Sequence, residues 1–284
     1  MLLYIILMRK TFLLFTIFFI FSNSLFSQDI TGRLLSKDMN PIQQVVVGVE
    51  GKNVGAISND KGIFSINLSN QSLKNNIIIT ANGYESYKIS IEDFIKQSNH
   101  DIILNERVIE IPEVNISSKR YILKNWGNNN INRAYTSFDS NKSKQIMREI
   151  AVKFDNKKPI RINKINVGLF DYTFEDSITL IFNVYNSINK LPGETLSPRM
   201  LKVVISKNDI KNKTISIDVS KYNIWTNSDF YVSMRVADDF KGKLQLGGNI
   251  YAFTKDTYYR YFYDNWNKYS MGVPAINVDI QINN

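Results

Sequence analysis

Through most of the chain apolar and polar residues alternate with a period of two, the spacing of a strand with one covered and one open face. In "VVVGVEG" Val45, Val47 and Val49 share a face, and in "IFSINL" Phe64, Ile66 and Leu68 stand opposite Ser65 and Asn67. Further strands are predicted over "IIITANG", "YKISI" and "HDIILNE", with a strand-like "PEVNI" after Pro112. Alternation returns more strongly from Gln145. It places Ile178, Leu180, Phe182 and Val184 together, then Ile215, Ile217 and Val219, then Phe230, Val232, Met234 and Val236. The last run aligns Ile276, Val278, Ile280 and Ile282. Sustained helical spacing is scarce. Strands with one greasy face need a second layer over it, so the expected class is all-β, with packed sheets rather than a parallel sheet flanked by helices.

Two segments break the rhythm. Residues 1–27 carry Arg9-Lys10, the apolar run "TFLLFTIFFIF" and a small, polar close at Ser27, the layout of a secretory signal peptide. "MRK" at Met8 makes a more usual opening than Met1. One membrane anchor spanning both sides of the charged pair is the alternative, which two charges near its middle oppose. Past residue 30 no apolar run approaches the length of a transmembrane helix, so the mature chain is expected to carry no membrane span. Residues 118–144, rich in Asn, Ser and Lys, are predicted as a polar linker on which Tyr121, Ile122, Leu123 and Trp126 are candidate docking points. The expected domains are therefore 28–117 and 145–284.

Composition narrows the function. Thirty-five Lys and Arg against 26 Asp and Glu give a net charge of +9, but the basic residues are scattered rather than in runs, which argues against a nucleic-acid partner. There is no cysteine, so disulfides, lipid-modified cysteine and thiolate chemistry are excluded.

The stretch "ISNDKGIFSI", residues 57–66, offers acid and amide side chains that would either hold a ligand or turn the chain. Asn59 suits the first position of a type I turn, Asp60 and Lys61 its centre, and Gly62 the left-handed position of a G1 bulge. A calcium loop would need an acid five residues before the glycine, where Ile57 stands. The turn is the better reading.

The ordered set Gly32, Pro41, "VVVGVEG" ending at Gly51, Gly55, Ser58-Asn59, Gly62-Ile63-Phe64 and Gly83-Tyr84 resembles the carboxypeptidase regulatory-like domain over about residues 28–117. The resemblance implies a prealbumin-like, seven-stranded β-sandwich and an envelope setting. It implies no peptidase activity, because that family is the accessory module beside the enzyme. The second half looks like the sandwich region that follows this domain in exported bacterial proteins, and a second antiparallel sandwich of jelly-roll type is expected there.

Candidate chemistry is sparse. The only histidine, His100, precedes "DIILN" and is expected to face solvent from a loop, leaving no HExxH pair for zinc and no Ser-His-Asp system. No phosphate loop or GxSxG elbow is present. No catalytic residue, metal ligand or cofactor is therefore assigned. Glycoside hydrolysis, which needs only two carboxylates, is the least favoured of three functional readings. In "YYRYFYDNWNKY", Tyr259, Tyr261, Tyr263 and Trp266 with Arg260 and Asp264 are the candidate ligand-binding set, as an aromatic platform for sugar rings. On an extended strand the three tyrosines share a face, and the competing reading has that face covering the core while Asp264-Asn265 turns the chain. The leading expectation is an exported, non-enzymatic binding or scaffolding protein of the periplasm, outer-membrane surface or extracellular space, with an envelope protein or glycan as partner. A carbohydrate-binding accessory protein is the alternative.

Overall fold

The computed structural model describes residues 29–107, 121–142, 148–249, 256–269 and 272–283. The predicted leader, the "PEVNI" strand and the ends of the predicted linker lie outside these residues.

The first unit contains β1 (Asp29–Ser36), β2 (Val46–Val49), β3 (Gly55–Ile57), β4 (Ile63–Asn67), β5 (Asn76–Ile79) and β6 (Tyr87–Ser90). A short helix α1 (Ile91–Lys96) and β7 (Asp101–Leu104) complete it. The strands form a three-stranded sheet, β4-β1-β7, and a four-stranded sheet, β3-β2-β5-β6. β1 and β7 run parallel and the other pairs antiparallel. Leu34, Val47, Val49, Phe64, Ile66, Ile77 and Ile79 fill the space between the sheets. The alternation over Phe64 and Ile66 is met, with Ile63, Ser65 and Asn67 exposed.

The turn at 59–62 binds its own chain. Asn59 Oδ1 accepts from the amides of Lys61 and Ile63 at 2.9 and 3.0 Å, and the Gly62 amide donates to Asn59 O at 3.0 Å. Gly62 has φ +73°, where a side chain is strained. Ser58 is fully buried, accepting from the Val45 amide at 3.0 Å and donating to Ile42 O at 2.8 Å.

Helix α1 went unpredicted because it is only six residues long and buries just Ile91 and Phe94. Ser90 caps it by accepting from the Asp93 amide. His100 departs from the solvent-facing expectation. It is half-buried, with Nε2 3.0 Å from Phe94 O and its ring edge-on to Phe94, so it closes the end of α1.

The second unit begins inside the predicted linker, with β8 (Tyr121–Gly127) and β9 (Arg133–Asp139). It continues through β10 (Arg148–Phe154), β11 (Ile160–Thr173), β12 (Ser177–Ile188), β13 (Leu191–Thr195), β14 (Leu201–Ser206) and β15 (Thr214–Asp218). β16 (Ile224–Thr226), β17 (Phe230–Val236), β18 (Lys243–Asn249), β19 (Thr257–Tyr261), β20 (Asn267–Tyr269), β21 (Val273–Pro274) and β22 (Ile276–Asn283) follow. One sheet has the order β13-β12-β17-β10-β19-β20, with β14 also on β12. The other has the order β21-β18-β11-β22-β8, with β15 and β16 also on β11 and β9 on β18. Their facing sides share one core, which holds the four apolar stripes named from residue 178 onward.

The linker expectation therefore needs correction over its described part. β8 pairs along β22 and β9 along β18 through backbone hydrogen bonds, which demand no apolar alternation of an edge strand. Of the four docking candidates only Trp126 packs on the core, while Tyr121, Ile122 and Leu123 are exposed, Leu123 by 73%.

Candidate functional site

Alternation along β10, β12, β17 and β19 turns one side of their sheet into the core, while the other carries polar groups beside a small apolar cluster of Ala151, Tyr185, Tyr231 and Tyr258. That outer side shows Glu149 on β10, Asn183 and Tyr185 on β12, Ser233 and Arg235 on β17, and Arg260 on β19. Register brings them together: Asn183 lies opposite Ser233, and Glu149 opposite Arg260. This face is not left to water. All seven residues of β17 are buried.

Glu149 is the centre of the face. Its Oε1 accepts from Ser233 Oγ at 2.6 Å, Tyr185 Oη at 2.7 Å and Asn183 Nδ2 at 3.0 Å, while Oε2 accepts from Arg260 Nε at 3.0 Å. Burial works against the ionised carboxylate, but the Arg260 charge and the donated hydrogen bonds outweigh it, holding Glu149 below the ordinary carboxylate range. Burial and the neighbouring Glu149 push the Tyr185 hydroxyl well above the usual phenol value. Arg260 also lies under the Trp266 ring at 4.3 Å and beside the Tyr263 ring at 5.3 Å.

The first unit covers this face. Thr80 N donates to Tyr263 Oη at 2.7 Å, and Gly51 N donates to Tyr263 O at 2.9 Å. Arg235 Nη2 donates to Gln44 O at 2.6 Å, Gln44 Nε2 to Asp238 Oδ1 at 2.8 Å, and Arg107 Nη2 to Thr195 O at 2.6 Å. Between the two units remains a cleft of about 530 Å³, within the usual size of small-molecule sites. Glu149, Tyr185, Arg235, Arg260 and Tyr263 line it from one side, and Gln44, Thr80 and Arg107 from the other.

The covering unit has two sheets closed by the glycine turn at 59–62, and its sequence matches a known family model. Residues 30–116 are a CarboxypepD_reg-like domain. No curated protein matches the chain. The matched family is a regulatory-like domain and not a catalytic one. It supplies the lid: Gly48 and Gly55 lie directly against the Tyr263 and Phe262 rings.

The six residues singled out from the sequence fall into three groups. Tyr259 and Tyr261 share a face, as expected of a strand, with their rings crossing at 82°. That face is the core side, where Tyr259 packs on the sandwich interior and against Tyr269. Tyr263 does not join them. β19 ends at Tyr261 and Phe262 takes a left-handed φ of +47°, which rotates Tyr263 to the side of Arg260. Asp264 belongs to the turn, with its amide donating to Tyr261 O and its carboxylate accepting from the Asn265 amide. Trp266 is half-buried and meets Tyr185 edge-on at 71°. The rings thus meet edge to face, and only Arg260, Tyr263 and Trp266 gather near the cleft.

Glu149, Asn183, Tyr185, Ser233, Arg235 and Gln44 were missed, since each lies on the polar side of an alternating segment or in a loop. The available signal was chemical: strands whose open faces carry Glu, Asn, Tyr, Ser and Arg rather than the Lys-rich mixture of a wetted sheet. Among the described residues no group of three or more His, Asp or Glu could hold a metal, and no helix is long and apolar enough to cross a membrane.

Proposed function

We propose that this chain is an exported, non-enzymatic binding protein of the cell envelope, whose ligand or partner group enters the cleft between the CarboxypepD_reg-like domain and the second sandwich. One observation carries the reading: the cleft floor is a polar network already assembled and desolvated around Glu149, the preorganisation that a binding site needs. The same network argues against Glu149 acting as a general acid. A carboxylate held ionised below its ordinary range has no proton to give at neutral pH, and its oxygens already accept four donors. Export rests on the charged, apolar and polar succession of residues 1–27.

A photo-crosslinking residue placed at Asn82 or Met200, both on the cleft wall, is expected to capture a defined neighbour in the native envelope. Capture only from the exposed Leu123 edge, with nothing from the cleft, would transfer the function to that edge. A glycan as the bound group is the second reading, favoured by the aromatic rings of Tyr263 and Trp266 beside the polar floor. A glycan array probed with the protein and with Trp266→Ala tests it, and a signal unchanged by the substitution removes Trp266 from the site.

A further inference from the structure

Three cleft residues have hydrogen-bonding capacity that the protein leaves unused. Gln44 is 9% exposed and its Nε2 donates to Asp238 Oδ1. An ionised carboxylate only accepts, so the amide nitrogen must face Asp238, and Oε1 is the atom left buried with no donor. Arg235 is 5% exposed and donates to two backbone carbonyls, Gln44 O at 2.6 Å and Val236 O at 3.3 Å. A guanidinium has five N–H groups. Arg107 Nε is buried with no acceptor, although its other nitrogens reach Thr195 O and, at 3.8 Å, Glu194.

Arg235 also lacks a contact counterion. Among the described residues no carboxylate stands within ion-pair distance of it, since Glu149 is paired with Arg260 and Asp238 is engaged by Gln44. Both acids act on it through space only. Four arginines, Arg107, Arg199, Arg235 and Arg260, line the cleft against two glutamates, Glu106 and Glu149. A buried cation without a paired anion is unfavourable, and an incoming carboxylate relieves that while using the free guanidinium donors.

The complementary ligand therefore joins an anionic acceptor to a neighbouring donor. The phosphate group of a monoester, in its dianionic form, offers only acceptors and leaves Gln44 Oε1 unpaired. A neutral sugar offers donors but no anion. Amides of Asn40, Gln43 and Asn82 line the same cleft and suit several hydroxyl groups.

We infer that the cleft takes a hydroxylated carboxylate of the uronic-acid type, as in an acidic glycan, with the carboxylate on Arg235 and Arg107 and a sugar hydroxyl donating to Gln44 Oε1. The inference rests on the cleft-binding reading above and names its ligand class.

Calorimetric titration of the purified protein with a uronic-acid disaccharide, the matching neutral disaccharide and a short peptide with a free C-terminal carboxylate tests it. The uronate is expected to bind at least about tenfold more tightly than the neutral sugar, the scale of one charge-assisted hydrogen bond. Arg235→Lys keeps the charge but loses the planar fork, and is expected to weaken the uronate by about tenfold with circular dichroism unchanged. Arg107→Gln, at a half-buried position of the cleft lining, gives the same readout where Arg235→Lys fails to fold. Equal affinity for the neutral sugar, or preference for the peptide, overturns the acidic-sugar class while leaving cleft binding intact. Uronate binding that neither substitution changes, or no uronate binding at all, also overturns it, and crosslinking from Asn82 and Met200 then decides the broader reading separately.

Discussion

The ring of Tyr263 occupies the space that a side chain at Gly48 would need: a Cβ there would lie 2.7 Å from Tyr263 Cδ2 and 3.3 Å from its backbone nitrogen. A glycine in a central strand of the CarboxypepD_reg-like domain is thus explained by a tyrosine more than two hundred residues later in the chain. The contact ties the covering sheet to the turn that follows β19, and so sets one wall of the cleft.

Gly48→Ala is expected to destabilise the protein by about 1–3 kcal/mol, as overpacking does. In a Tyr263→Ala background the ring is gone, and most of that loss should disappear. Denaturant unfolding of the two single variants and the double variant measures the coupling, expected above about 0.5 kcal/mol. Strictly additive losses would sink the wedge between the two units.

The core was legible in the sequence and the site was not, for one reason. Alternation reports which residues share a side of a strand, and Phe230, Val232, Met234 and Val236 lie together in the core as their spacing predicts. It does not report what covers the other side. Glu149 draws its partners from residues 34, 36, 84 and 111 positions away, so no local spacing could reveal the network. Tyr263 was misplaced by a single backbone angle at Phe262. β8 was hidden because its Asn125 spends its side chain on Asn277 and Asp279 at a polar edge, where apolar alternation is not required.

The glycine turn makes a separate prediction. Gly62→Ala places a Cβ 2.5 Å from Leu34 O at a positive φ, and is expected to lower stability by about 1–3 kcal/mol. Asn59→Ala removes an acceptor from two amides and should lose about 1 kcal/mol. Asp60→Asn should be silent, and chelator should leave the melting temperature unchanged. A calcium-dependent melting temperature abolished by Asp60→Asn would restore the ligand-loop reading.

Glu149→Gln leaves Arg260 buried without its carboxylate, and removing one partner of a buried pair destabilises by about 3–5 kcal/mol. The exposed pair Lys88–Glu50 is the internal control. Glu50→Gln should change stability by no more than about 1 kcal/mol, because solvent screens that pair. Thermal or urea unfolding at neutral pH distinguishes the two, and equal small effects would mean that the Glu149 network is not a structural element.

The same network fixes how stability changes with pH. Glu149 has a folded pKa below its ordinary value of 4.5, so its contribution is complete above that value and is lost as pH falls through the lower folded value. The stability gap between the wild-type protein and Glu149→Gln is therefore expected to narrow below about pH 4.5. Tyr185 behaves oppositely. Burial first, and then the Glu149 charge, raise its folded pKa above 10.0, so its contribution is complete below pH 10 and is lost as the pH rises beyond it. Tyr185→Phe should accordingly lose stability at neutral pH, through the missing hydrogen bond to Glu149, yet decline less steeply than wild type in alkali. Urea midpoints across the acid and alkaline limbs measure both slopes. Parallel curves for wild type and Tyr185→Phe above pH 10 would show that the hydroxyl titrates alike in the folded and unfolded chains, contrary to its place against a buried carboxylate.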